Sequence, residues 1–145
     1  MEQQLRAVLR INAATSALGG LAAAVAPDTL DRLLDTGQPT AVRVVGAGLV
    51  SFAAWVFVVA RWPAHRLRHE TVSISAGDAA WVVASVGTIA LGWYSPGGAI
   101  VVAAVAAMVG SFAYRQARLV RRMVDARDHS TVTSAEPERP KTSGA

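Results

Sequence analysis

Asp78 is the residue whose type and setting most demand an explanation. It stands in the third of four apolar stretches, about two helical turns beyond the polar segment that ends at Glu70. A carboxylate in hydrocarbon costs about 2.5–3.5 kcal/mol at mid-membrane on insertion scales, and less near the interface. It must therefore find a partner, be protonated or meet water. Arg10 and Asn12, on the first stretch, fall at a similar depth and are its natural partners. Trp81, Ser85 and Thr88 follow at i+3, i+7 and i+10, so one helical face continues from Asp78. Two roles fit this pattern. One is a proton or substrate site built on Asp78, Asn12 and Ser85. The other is a structural carboxylate, bonded to Arg10 or Asn12, that fixes the register of two helices.

The remaining polar candidates are fewer. Arg43 enters the second apolar stretch and has two fates: pairing with Asp28, Asp31, Asp35 or a lipid phosphate, or simple snorkelling. His65 and His69 stand at i, i+4, a chelating spacing on a helix. No third ligand is well placed, and the neighbouring Arg66 and Arg68 would repel a cation, so no metal site is expected. The chain has no cysteine, which removes thiolate catalysis, disulfides and Cys-based metal sites. No nucleophile elbow, phosphate loop, dinucleotide fingerprint or H-E-x-x-H run is present, so an enzyme reading has no residue to rest on and no cofactor is implied.

The elements that must position these residues are apolar and long. Hydrophobic residues make up 52% of the 145 and charged residues 17%, with the charges crowded into residues 1–10, 28–43, 61–70 and 115–141. A soluble helix would instead show a polar stripe at every turn. The uncharged runs are Ile11–Ala26, Val44–Ala60, Ala79–Tyr94 and Gly97–Tyr114. Flanking Arg side chains can extend each by snorkelling towards the roughly 20 residues a bilayer requires. The expected fold is all-α, a four-transmembrane-helix bundle with spans of about 6–26, 42–62, 73–94 and 97–117. Trp62, Trp93, Tyr94 and Tyr114 fall near the span ends, as interfacial aromatics do.

Orientation follows from the loops. Twelve basic residues, among them Arg61, Arg66, Arg68 and Arg115, lie on the side of the termini, and two, Arg32 and Arg43, on the other. The positive-inside rule then places both termini in the cytoplasm. Ala24-Val25-Ala26 resembles a signal-peptidase site, but Pro27 follows it and Asn12, Thr15 and Ser16 interrupt the apolar run, so the first span is expected to be retained. In the first outer loop Asp28 can cap a short amphipathic surface helix over Thr29–Asp35, stopped by Gly37. Ser95-Pro96-Gly97-Gly98 is a tight turn between antiparallel neighbours. The membrane domain covers 1–128, including a basic extension of the fourth helix, and 129–145 reads as a disordered cytoplasmic tail.

Lipid gives helices no hydrophobic reason to associate, so close packing of small residues must do it. Ladders at four-residue spacing run through Ser16, Gly20 and Ala24; through Ala76, Ala80, Ala84, Thr88 and Gly92; and through Ala99, Ala103, Ala107 and Ser111. Gly46, Ala47, Gly48 and Ser51 serve the second span. Packing within the chain is their first expected use, and oligomerisation the second. A weak internal echo matches Asn12-Ala13-Ala14 and Ser51-Phe52-Ala53 with Asp78-Ala79-Ala80 and Ser111-Phe112-Ala113, a two-plus-two parallel duplication.

The Asn12–Gly20 run N-A-A-x-S-A-L-G-G, the Arg43–Leu49 run R-V-V-G-A-G-L and the D-x-x-W of Asp78–Trp81 resemble the small four-helix membrane proteins of actinobacteria. The general shape is also similar to DoxX-like proteins. A genome rich in GC agrees with thirteen Arg beside the single Lys141. The resemblance implies a bacterial plasma-membrane protein and names no chemistry. Small multidrug-resistance transporters carry a Glu in the first span, where this chain has Asn12; vitamin K epoxide reductase-like enzymes need cysteines. A net charge of +4 raises nucleic acid as a partner, but the Arg residues flank apolar spans and no reader motif is present. The expected partners are the bilayer, whose headgroups Arg43, Arg61, Arg66, Arg68 and Arg115 can meet, and a membrane protein or second copy. The leading expectation is a non-enzymatic accessory or scaffold subunit. The alternative is a small transporter, or a proton- or lipid-responsive protein, using Asp78.

Overall fold

Leu5, Leu9, Asn12 and Ala13 recur at spacings of three and four and share one face of a helix, and the same period carries Leu67, Thr71, Ile74 and Asp78. In the computed structural model, which describes residues 2–134 and the side chains of 2–126, these faces meet. The elements are α1 (Glu2–Val25), α2 (Pro27–Leu34), α3 (Pro39–Val59), α4 (Ala64–Ala90) and α5 (Pro96–Ser134), and no strand occurs among the described residues. The fold is the expected all-α bundle. α1, α3, α4 and the Pro96–Ala126 part of α5 are each long and apolar enough to cross a membrane. Within their apolar windows only 28%, 22%, 17% and 17% of positions are buried inside the chain. Leu18, Val83 and Ile100 are about 70% exposed, an outward apolar surface suited to lipid rather than water.

The helices form two antiparallel pairs, α1 with α3 and α4 with α5. An apolar core of Leu5, Leu9, Val56, Val59, Leu67 and Ile74 joins the pairs at the end that holds the N-terminus. Leu119, Val120 and Met123 of α5 pack against it. At the opposite end α2 reaches from the first pair to the second. Ser95 donates its backbone N–H to Leu34 O across 3.2 Å, and a β-carbon on Gly98 would stand 2.6 Å from that same oxygen. Only a glycine lets α5 begin so close to the end of α2.

Several boundaries move from their expected places. α4 starts at Ala64 rather than near residue 73, because Leu67 continues the buried face and charge does not break a helix. It ends earlier, at Ala90. Gly92, at φ 70°, donates to Ile89 O and Trp93 N–H reaches Thr88 O, closing a Schellman motif. Pro27, not Asp28, opens α2: Ala26 is its N-cap and makes no side-chain capping bond, so Asp28 lies in the first turn. The stop is Asp35 in the left-handed conformation, two residues before Gly37. α5 runs to Ser134, past the expected limit at Asp128, and the rest of the proposed tail, 135–145, lies outside the described residues.

The small-residue ladders divide between two uses. On α1 and α3 they are inside: Gly20 and Gly46 are buried against each other. On α4 and α5 they face outward, with Ala76, Ala80, Ala84, Ala103, Ala107 and Ser111 all exposed. The packed face of α5 is instead Ala106, Val109, Phe112 and Gln116.

Candidate functional site

The buried face of α4 turns from apolar to polar at Asp78, which is 3% exposed. Since α4 begins at Ala64, Asp78 stands about four turns from its start rather than two. Asn12 of α1, fully buried, donates from Nδ2 to Asp78 Oδ2 across 2.8 Å. Gln116 of α5, also fully buried, donates from Nε2 to the same oxygen across 3.3 Å. The amide oxygens are used as well. Ser75 Oγ donates to Gln116 Oε1 at 2.9 Å, and Ser16 Oγ to Asn12 Oδ1 at 3.4 Å. A polar layer thus ties α1, α4 and α5 together, and α3 reaches it through Phe52, 3.4 Å from where a β-carbon on Gly77 would stand.

Of the residues expected to gather here, Asp78 and Asn12 meet and the others do not. Arg10 is exposed, and no bond joins it to Asp78 among the described residues. Its side chain leaves α1 on the face away from α4, since Leu9 and Asn12, the flanking core positions, take the inner face. Ser85 is buried but further along α4, where its hydroxyl returns to Trp81 O at 2.9 Å. The unexpected member is Gln116. Its signal in the sequence is a neutral polar residue continuing the Val109–Phe112 face between Arg115 and Arg118.

On the α2 side of this layer the two helix pairs part and leave a cavity of about 300 Å³. Leu49 and Phe52 of α3, Trp81 of α4 and Val109 of α5 wall it, and Gly48 and Gly77 leave it room. The side chains in its lining that carry polar atoms are Ser16, Asp78 and, through its indole N–H, Trp81. Both amide donors occupy Oδ2 of Asp78, and no described residue bonds Oδ1. No fully buried polar atom lacks a partner among the described residues, so Oδ1 keeps its accessibility, and this cavity is where Asp78 opens.

The basic residues have separate positions. Arg6 caps α3: Nη1 donates to Ala60 O at 2.6 Å and Nη2 to Trp62 O at 2.7 Å. These carbonyls lie at and beyond the end of α3, where a helix has no acceptor partners of its own. Glu2 Oε1 holds the same guanidinium at 2.6 Å. Arg61 lies 4.4 Å over the Phe57 ring. Arg66 and Arg115 are exposed and Arg68 half-buried. Arg43 is exposed and makes no described bond to Asp28, Asp31 or Asp35. Asp31 is engaged elsewhere, accepting from Thr36 Oγ1 and from Gln38 N–H. His65 and His69 are exposed on the first turns of α4, and no group of three potential metal ligands occurs among the described residues.

Comparison with family models, with curated proteins and with solved structures finds no match, so the functional reading rests on geometry alone.

Proposed function

We propose that the chain is a non-enzymatic accessory or scaffold subunit of a bacterial plasma membrane, working by packing against the helices of a membrane partner. The observation that carries this reading is the division of the small-residue ladders. Gly20 and Gly46 are consumed inside the bundle, whereas Ala76, Ala80 and Ala84 of α4 and Ala103, Ala107 and Ser111 of α5 face outward. Small residues let helices approach closely in lipid, and the polar layer at Asp78 holds the two pairs in one register, so these faces are presented rigidly. This reading puts both termini in the cytoplasm, and it is supported by Arg61, Arg66, Arg68 and Arg115 standing at the end of the bundle where α1 begins.

Affinity purification from native membranes tests the proposal. A stable membrane partner or second copy should co-purify, and Ala84→Phe or Ala107→Phe should release it. Recovery of a monomer alone, unchanged by either variant, would sink the reading. The alternative, a small transporter or a proton- or lipid-responsive protein using Asp78, is favoured by one observation, the cavity that opens on that carboxylate.

A further inference from the structure

The cavity beside Asp78 is lined by one acidic side chain and no basic one. The groups that touch its carboxylate, Asn12 and Gln116, are neutral amides, and no Lys, Arg or His lines the cavity. The two amides satisfy Oδ2 and leave Oδ1 towards the open space. The walls beyond it are aliphatic and aromatic. An acyl chain filling the space would leave that oxygen without a donor in an apolar medium, which is costly. A hard metal ion needs about six oxygen ligands, and only Asp78 and Ser16 offer side-chain oxygens here. Water can meet polar partners at Ser16, Asp78 and the Trp81 indole, but the remaining walls offer it none.

From this geometry we infer that the cavity is a binding site for a small lipophilic monocation. A protonated amine on an apolar body sets its ammonium on Asp78 Oδ1 and its body between Leu49, Phe52 and Trp81. The ammonium supplies a counter-charge for the carboxylate and a donor for Oδ1, and the aromatic walls favour a cation beside them. A volume of about 300 Å³ is at the small end of ligand cavities and suits a guest of roughly the size of a phenylalkylamine. Gly48 lines the site, and a β-carbon there would meet nothing within 4 Å, so a side chain can be introduced at this wall. The inference does not depend on the accessory role and survives its failure.

The test uses the full chain in phosphatidylcholine nanodiscs, whose zwitterionic surface does not concentrate cations. The probe is 4-phenylbutylammonium, measured by equilibrium dialysis against protein-free nanodiscs, with 4-phenylbutan-1-ol as its uncharged counterpart. The expected result is saturable binding of one ammonium per chain, with the alcohol bound about tenfold more weakly or worse. Asp78→Asn, which keeps a side-chain oxygen for Asn12, should weaken ammonium binding by about tenfold or more at an unchanged melting temperature. Gly48→Leu should abolish it with Asp78 intact, so the test stands even if Asp78→Asn fails to fold. Equal binding of amine and alcohol would overturn the inference, as would a Gly48→Leu variant that binds normally. So would the absence of saturable binding, including absence caused by a co-purifying lipid or a second copy occupying the cavity.

Discussion

Gly20 and Gly46 meet backbone to backbone where α1 crosses α3. A β-carbon on Gly46 would stand 2.6 Å from Ala24 N and 2.7 Å from Gly20 O, and neither backbone atom can swing aside as a side chain would. Gly46→Ala is expected to destabilise the chain by about 1–3 kcal/mol through overpacking. Gly48→Ala, with open space around it, should change stability by less than about 0.5 kcal/mol. Unfolding in mixed micelles compares the two, and equal effects would mean that the helices do not cross at Gly46.

Arg6 should matter for its hydrogen bonds more than for its charge. Its guanidinium reaches Ala60 O and Trp62 O from a site that is 21% exposed, while Glu2 is 42% exposed. Arg6→Gln should lower stability by about 1–3 kcal/mol, and Arg6→Lys should recover only part because one ammonium cannot span both carbonyls. Glu2→Gln, removing a partly solvated ion pair, should cost less than about 1 kcal/mol. Thermal melts of the three variants give the order, and a Glu2 effect as large as that of Arg6 would contradict it.

Ala84→Leu is expected to leave the isolated bundle within about 0.5 kcal/mol of wild type, since Ala84 is exposed. The four-residue ladder on its own suggests an overpacked interior and a marked loss. Unfolding measurements in detergent distinguish the two, and a loss above about 1 kcal/mol would return Ala84 to the inside.

This ladder marks where sequence reading ends. The four spans and the surface helix were legible, because long uncharged runs act locally, whereas the turn expected at Ser95–Gly98 lies at residues 91–95, since Pro96 opens α5 rather than the loop. Which face of α4 turns inward was not legible. Ala76, Ala80 and Ala84 and the true face of Leu67, Ile74 and Asp78 share one helical period, and only contact with the other helices decides between them. Asn12 was identified as a partner of Asp78 from depth alone. Depth places Arg10 beside it as well but says nothing of azimuth: two residues along a helix turn a side chain by about 200°. Gln116 was hidden by its Arg-rich surroundings, which read as a solvated extension.

The orientation proposed for the bundle can be read directly. Single cysteines in this naturally cysteine-free chain should react with an impermeant maleimide in intact cells at position 33, on the exposed side of α2, and not at position 66. Labelling at 66 alone would invert the topology and place the Arg-rich end outside.

The central claim is that Asp78 fastens the first helix pair to the second, and a double-mutant cycle between Asn12 and Asp78 tests it most directly. Asn12→Ala, Asp78→Ala and the double variant are unfolded under the same conditions, with exposed Arg10→Ala as the internal control, expected to be neutral. The 2.8 Å bond between the two side chains predicts a coupling of about 1–2 kcal/mol, the double variant losing less than the sum of the single losses. Losses that add within about 0.3 kcal/mol, or a larger effect from Arg10 than from Asn12, would show that this contact does not hold the bundle together.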